Sequence, residues 1–462
     1  MLRDRYDPMN LFERIPTLSM RMDPILAHID TLLTDDTIFQ AVKADLIRRF
    51  PHTADEGRPS TPVEVILRML VVKHMYNWSF PQTSQFVSDS LVLRQFCRVY
   101  FASVPDQSTL NRWAKLIQPT TLHRLLDHII HLAVQHQLTQ GRKLRIDGTV
   151  VETNIHHPTD STLLNDGVRV LSRALGKAKT ILVHTTDLAQ DTFADCTQRA
   201  RDKMKRIMEV ARQKGEAVAE RLKTTYRDLL DLTTTVVAHA KQVQATLTVH
   251  ATAAAERVTK ILDQFIPLVE QVITQTTRRV LQGEQVPASE KIVSLFEPET
   301  AIIRKGKPGK PTEFGRCVWL DEVEGGIISR YAVLAGNPDE KAQLAPSLEH
   351  HIAQFGHPPE LLTGDRGIHS TANERSAQEH GVTEVVLPKP GKKSAKRIAY
   401  EQQEWFRAGR NWRAGIEGRI SGLKRRHGLE RCRYHGSAGM ERWVGLGVIA
   451  HDLRMIAQHL LA

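Results

Sequence analysis

Leu144-Arg145-Ile146-Asp147-Gly148-Thr149-Val150-Val151-Glu152 is the stretch on which the fold turns. Its β-branched residues alternate with polar ones, the pattern of a half-buried strand, and it separates two regions of different character. Before it, residues 1 to 135 read as helices. Thr61-Pro62-Val63-Glu64 has the form of a capping box, and Val65, Ile66, Met69, Leu70 and Val72 follow at helical intervals. A second helix start stands at Val104-Pro105-Asp106-Gln107-Ser108-Thr109, leading into Leu110–Leu116. Short helices with Arg112 and Lys115 exposed suit either a helix-turn-helix that enters the major groove or a plain helical bundle. After the strand, Lys177–Gln282 contains one glycine (Gly215) and one proline (Pro267). Val258, Ile261, Leu262, Phe265, Val269 and Val272 form a helical stripe there, so the block reads as long helices with a break or kink at Pro267.

Strands then return. Cys317–Val323, the turn Gly325-Gly326 and Ile327–Leu334 make a hairpin. A helix over Asp339–Gln354, a short strand ending in Thr363-Gly364-Asp365-Arg366-Gly367, another helix and the strand Glu384–Pro388 complete the series. With the helical block set aside, the order is strand, hairpin, helix, strand, helix, strand, helix. That order predicts an α/β ribonuclease-H-like core, a mixed sheet with flanking helices. The implied domains are a helical N-terminal domain (1–135), the core (136–160 and 290–435), an all-helical insertion (161–289) after the first core strand, and a C-terminal amphipathic helix (436–462) packing on the core. The apolar stripe of the insertion is covered either by a second subunit or by the insertion's own helices.

Composition narrows the function. The chain has 462 residues, 41% of them hydrophobic, enough for real cores. No run of eighteen apolar residues and no apolar leader after Met1-Leu2-Arg3-Asp4 occur, so a cytoplasmic protein without membrane contact is expected. The cysteines Cys97, Cys196, Cys317 and Cys432 lack metal-site spacing and read as free thiols. Between Lys389 and Arg433 stand fourteen Lys or Arg against four Glu, so this short segment carries most of the formal net charge of +11. Such a concentration favours a polyanion partner. The loop Lys305-Gly306-Lys307-Pro308-Gly309-Lys310 is basic but lacks phosphate-loop spacing. His156-His157 and His350-His351 read as satisfied or solvated histidines.

Three acids stand where a metal site needs them: Asp147 in the first core strand, Asp365 at the tip of a later strand, and Glu417 on the closing helix. Arg413, Glu417 and Lys424 recur at offsets that return to one helix face. Carboxylates on a sheet and on a helix packed against it suit two Mg²⁺ ions about 4 Å apart, because hard cations take oxygen ligands.

These motifs resemble those of bacterial insertion-sequence transposases of the DDE class, ISNCY-like elements above all. The residues that carry the likeness are Asp147–Asn154, Thr363–Gly367 and the tail around Glu417. The tail follows the family spacing of Tyr, two residues, Arg, three residues, Glu, six residues, Lys, at Arg413, Glu417 and Lys424, with Arg410 at the tyrosine position. Ile368-His369 stands where the second motif usually has an aromatic residue. The resemblance implies that Asp147, Asp365 and Glu417 are catalytic metal ligands, with Mg²⁺ as the ion and Mn²⁺ able to substitute. Arg413 and Lys424 would contact phosphates near the element end, and Arg410, Arg425, Arg426, Arg431 and Arg433 extend that basic track. The implied activity is cleavage and strand transfer on double-stranded DNA, element ends and target alike, by a homodimer or higher oligomer. A catalytically silent DNA-binding protein and a nuclease without strand transfer are the alternatives.

Overall fold

The computed structural model describes residues 22–48, 60–182, 188–215, 217–249, 252–304 and 311–462. The readings of the N-terminal Met1–Asp4 segment and of the basic loop Lys305–Lys310 fall outside them. In chain order the elements begin with helices α1 (Pro24–Leu32), α2 (Asp36–Ile47), α3 (Val63–Met75), α4 (Phe80–Asp89), α5 (Leu91–Phe96), α6 (Gln107–Ala114) and α7 (Pro119–Gln135). Strand β1 (Lys143–Thr153) precedes α8 (Asp160–Leu182), α9 (Thr197–Ala211), α10 (Val218–Leu247) and α11 (Ala253–Thr276). Then come β2 (Ala301–Ile303), β3 (Glu313–Val323), β4 (Ile328–Leu334), α12 (Leu344–Phe355), β5 (Leu361–Thr363), α13 (Thr371–Glu379), β6 (Glu384–Val386) and α14 (Ala395–Glu401). The long α15 (Glu404–His427), the short β7 (Arg431–Cys432) and α16 (Ser437–His459) close the chain. Two compact units result, one of Met1–Asn154 with Arg316–Ala462, the other of Ile155–Gly315.

In the first unit β1 lies between β3 and β5, and β6 follows β5. β1, β5 and β6 run parallel, with Arg145 opposite Thr363 and Thr363 opposite Val386. β3 and β4 form an antiparallel hairpin. Its turn uses two left-handed residues, Gly325 (φ 76°) and Gly326 (φ 78°), a conformation that costs glycine little. Glu324 in that turn accepts the backbone N–H groups of Gln140, Arg142 and Lys143 at 2.8, 3.0 and 2.9 Å. Burial pushes its carboxyl up, but these amide donors outweigh it and hold the pKa below the usual value. The hairpin turn is thereby fastened to the start of β1.

The N-terminal helices and the sheet share one apolar core, which runs from Leu26 and Ile66 through Ile146 and Trp319 to Trp443 and Leu453. Two expectations change here. α3 starts at Val63 without a side-chain cap. Glu64 reaches forward instead, to Arg68 at 2.9 Å, and Arg68 also binds Asp30 at 2.6 Å. A buried guanidinium demands carboxylate partners more strongly than a helix end demands a cap. α16 is also no amphipathic helix, because its residues from Met440 to Leu453 are buried around most of its circumference, except Glu441 and Arg442. Even Asp452 lies inside, where its Oδ1 accepts the Ile328 N–H at 3.0 Å.

In the second unit, α8, α9, α10 and α11 pack on one another. The stripe Val258, Leu262, Val269 and Val272 is buried in a core with Leu164, Leu171, Leu229, Val236 and Leu295. Of the two ways to cover that stripe, the insertion's own helices provide it. α11 runs through Pro267 without a break. The lost hydrogen bond is outweighed because Ile266 and Val269, on either side, are buried. β2 pairs antiparallel with the first residues of β3, Ala301 opposite Gly315.

Candidate active site

The parallel register decides where the acids stand. Because Arg145 pairs with Thr363, the register carried two residues further on sets Asp147 level with Asp365, just past the end of β5. β5 ends at Thr363, so Asp365 heads the loop beyond the carboxyl end of a parallel strand, the usual place for a ligand site in such sheets. Asp147 Oδ1 accepts its neighbour's amide, Gly148 N–H, at 2.7 Å. Asp365 Oδ1 accepts the Gly367 and Ile368 amides at 2.8 and 3.2 Å, which holds the loop in a tight turn. Glu417 lies on α15 with 70% of its side chain exposed.

Arg413 joins two of the three acids. One terminal nitrogen is 3.3 Å from Asp147 Oδ2, and the other is 3.6 Å from Glu417 Oε1. Its Nε is buried and has no hydrogen-bond partner among the described residues. The chain thus sets Asp147 beside Asp365 and links Asp147 to Glu417 through a guanidinium. Among the described residues, no three His, Cys, Asp or Glu side chains are gathered closely enough to hold a metal ion. The expected three-acid cluster is therefore not closed around one point, because Arg413 stands between Asp147 and a solvent-facing Glu417.

α15 is fixed to the sheet by buried charge. Arg145 on β1 donates from Nε to Glu322 Oε2 on β3 at 2.8 Å, and Arg419 on α15 donates to Glu322 Oε1 at 3.1 Å. Arg145 also donates to the Trp412 carbonyl and lies 4.6 Å from the Trp412 ring centre. Glu322 is fully buried, so two guanidinium partners offset the cost of taking its charge out of water. Glycines allow the approach. A Cβ on Gly409 would meet Val386 Cγ2 at 2.7 Å, and one on Gly415 would meet Arg145 Nη1 at 2.4 Å. Gly418 and Gly422, by contrast, have nothing within 4 Å of the Cβ position.

Sequence reasoning missed Glu340. It lies in a short helical turn after β4, yet its carboxylate sits among both aspartate motifs. A Cβ on Gly367 would stand 2.8 Å from Glu340 Oε2 and 3.1 Å from Asp365 Oδ1, and one on Gly148 would stand 3.5 Å from Glu340 Oε1. The glycine after each aspartate leaves the slot that this carboxylate occupies. A Gly at those two places was visible in the sequence, but the acid that fills the slot was not.

The basic track presents Arg410, Arg425 and Arg426 to solvent along α15, with Lys424 half-buried. Arg431 pairs with Glu152 at 2.9 Å, and Arg433 donates to the Asn77 carbonyl at 3.4 Å. Arg112 and Lys115 are exposed at the end of α6, whose Leu110 and Ala114 are buried. Trp405 and Trp412 are half-buried and pack on Tyr400, Phe406 and Arg145. His156 is paired with Asp166 at 2.8 Å and His351 with the Gly141 carbonyl at 2.8 Å, so neither pair of histidines forms a site. All four cysteines are buried free thiols.

Two family models match this chain. One, described as a transposase domain (DUF772), covers residues 11–116, and the other, described as a transposase DDE domain, covers residues 373–457. Two separate stretches of the chain are thus similar to insertion-sequence transposases of the DDE class. The DDE match takes in Arg413, Glu417 and Lys424 with the whole of α15, while Asp147 and Asp365 lie outside it. The other match contains Arg112 and Lys115. The chain is also similar to an uncharacterized protein, ORF8 in the nfe locus of Rhizobium meliloti, 28% identical over 123 residues. That similarity covers 25% of this chain and 59% of the relative. No solved structure matches. No helix of the described residues is long and apolar enough to cross a membrane.

Proposed function

We propose that this chain cuts DNA at the ends of its own element and joins the freed ends to a target, from a ribonuclease-H-like core. The observation that carries the reading is the parallel register of β1 with β5, Arg145 opposite Thr363, which sets Asp147 beside Asp365 just beyond the end of β5, with Arg413 of α15 reaching Asp147. The strand order, with the β3–β4 hairpin beside β1 and parallel β5 and β6 beyond, supports the fold assignment.

The donor chemistry fits a hard divalent cation such as Mg²⁺, since Asp147, Asp365 and Glu417 offer only carboxylate oxygens. When bound, such ions supply Lewis-acid activation of water or a 3′-hydroxyl and steady the leaving oxygen. The chain's own groups do the rest. The tight turn at Asp365 fixes one carboxylate through two amides, and the buried Arg145–Glu322–Arg419 group fixes α15 over the sheet. Arg413, with its Nε unpaired and buried, is placed to donate to a phosphate, and Lys424, Arg425 and Arg426 continue along the strand. Phosphoryl transfer asks mainly for such positioning and charge. Two ends must be joined, so a homodimer or higher oligomer on double-stranded DNA follows.

A second reading, a catalytically silent DNA-binding protein, draws on the exposed Glu417 and its separation from Asp147 by Arg413. A gel assay with Mg²⁺ and end-containing DNA separates the readings: joined product, nicked product alone, or a shifted but intact band. Under the first, Asp147→Asn, Asp365→Asn and Glu417→Gln each abolish cleavage and leave the shift in place. Wild-type cleavage by any one of them removes that residue from the site.

A further inference from the structure

α3 ends at Met75, and the next three residues make a turn in which Tyr76 is exposed and Asn77 and Trp78 are half-buried. Asn77 takes the left-handed conformation (φ 53°), which turns Tyr76 and Trp78 onto one another. Their ring centres are 4.7 Å apart with planes 19° from parallel, and Phe86 of α4 adds a third ring 4.6 Å from Trp78. Trp78 is in the middle of the stack, while Tyr76 is 42% and Phe86 37% exposed. With Trp78 half-buried between two exposed rings and Phe86 tilted 55° to it, the three rings form a patch, not a scattered surface residue.

One side of this patch is cationic, while the Asp23 carboxylate also acts on Tyr76. A Cβ on Gly428, the left-handed cap that ends α15, would stand 2.9 Å from Asn77 Oδ1. Arg433 donates to the Asn77 carbonyl at 3.4 Å. The turn therefore abuts the end of α15, directly after Lys424, Arg425 and Arg426. We infer that the Tyr76–Trp78 stack, flanked by the tilted Phe86 ring, receives an unpaired base of a DNA strand whose phosphates lie on Arg425, Arg426 and Arg433. The inference rests on the DNA reading above. A base offers the flat face that extends an aromatic stack, and its phosphate supplies the charge that the neighbouring arginines need. Bases inside a duplex are already stacked on each other, so only an unpaired one is free to add to the column.

The test compares a blunt duplex with the same duplex carrying a short single-stranded thymine extension. Wild type is expected to bind the extended duplex more tightly, with quenching of tryptophan fluorescence. Tyr76→Ala should lose roughly tenfold in affinity for the extended duplex, the scale of one base–aromatic stack, and bind the blunt duplex as wild type does. Tyr76→Phe keeps the ring and should bind both as wild type. Tyr76→Leu keeps the apolar bulk without the flat face, and should behave like Tyr76→Ala. Equal effects of Tyr76→Ala on both DNAs, no effect on either, or a Tyr76→Leu variant that binds like wild type would overturn the inference while leaving DNA binding standing. A wild-type protein that binds neither DNA would sink the parent reading instead.

Discussion

Lys73 is buried with no carboxylate beside it among the described residues. Its ammonium lies 4.4 Å from the Trp443 ring centre, 4.9 Å from Phe80 and 5.0 Å from Tyr434, and it has no hydrogen-bond partner among the described residues. Burial, with help from the Arg433 charge, pushes its pKa down from 10.5 to about 7. Between those two values the unfolded chain holds a proton that the folded chain has released, so stability rises with pH, at about 1.4 kcal/mol per pH unit at most. Below pH 7 both states are protonated and the full penalty stands. Lys73→Met is therefore expected to stabilise the protein at neutral pH by up to a few kcal/mol and to lose that advantage as pH nears 10. Urea denaturation of both proteins at the two ends of this range checks it, and parallel curves at every pH would refute the burial argument. Glu340 invites a second single-residue test. A methyl on Gly367 would have to displace the Glu340 carboxylate or crowd Asp365. Because the end of a flexible side chain can yield, Gly367→Ala should fold normally yet cleave DNA at least tenfold more slowly, with unchanged binding. Undiminished cleavage would show that Glu340 need not occupy that slot.

Among the elements, α15 separates structural from outward-facing glycine. Gly415→Ala puts a methyl 2.4 Å from Arg145 Nη1, and Arg145 is held by Glu322 and the Trp412 carbonyl. Such crowding costs about 1–3 kcal/mol. Gly418→Ala and Gly422→Ala meet nothing and should stabilise the helix by roughly 0.5–1 kcal/mol each. Thermal melting measures both effects. If DNA approaches this face, the same two changes should weaken its binding, which a mobility shift would reveal. These contrasts also mark how far the sequence could be read. The hairpin, the parallel strands and the helical block follow from periods of two and 3.6 and from glycine turns, all local signals. The capping box at Thr61 failed because the rival for Glu64 involves Asp30 as well as Arg68, and Asp30 is far along the chain. Pro267 alone suggests a break or kink, and that the helix continues through it rests on its neighbours' burial, a tertiary fact. Glu340 escaped notice for the same reason, since only folding brings the turn after β4 to Gly148 and Gly367.

At the scale of the whole molecule, the chain is two compact units, each with its own apolar core. Residues Ile155–Gly315 do not depend on a second subunit to cover the stripe on α11, and that makes a definite forecast for a charge placed in it. Val269 is fully buried and stands against α8, where a Cβ on Gly167 would meet Val269 Cγ2 at 2.9 Å. Val269→Glu leaves a carboxylate in that seam with no room and no partner, at a cost of several kcal/mol. If the stripe formed a subunit interface, the variant would stay helical and simply sediment as a smaller species. If the insertion's own helices cover it, the variant should lose helical signal and acquire a low-temperature unfolding transition, while the transition of the other unit stays near its wild-type position. Circular dichroism melts combined with sedimentation distinguish the two, and the packing of α8, α10 and α11 around Val269 predicts the second.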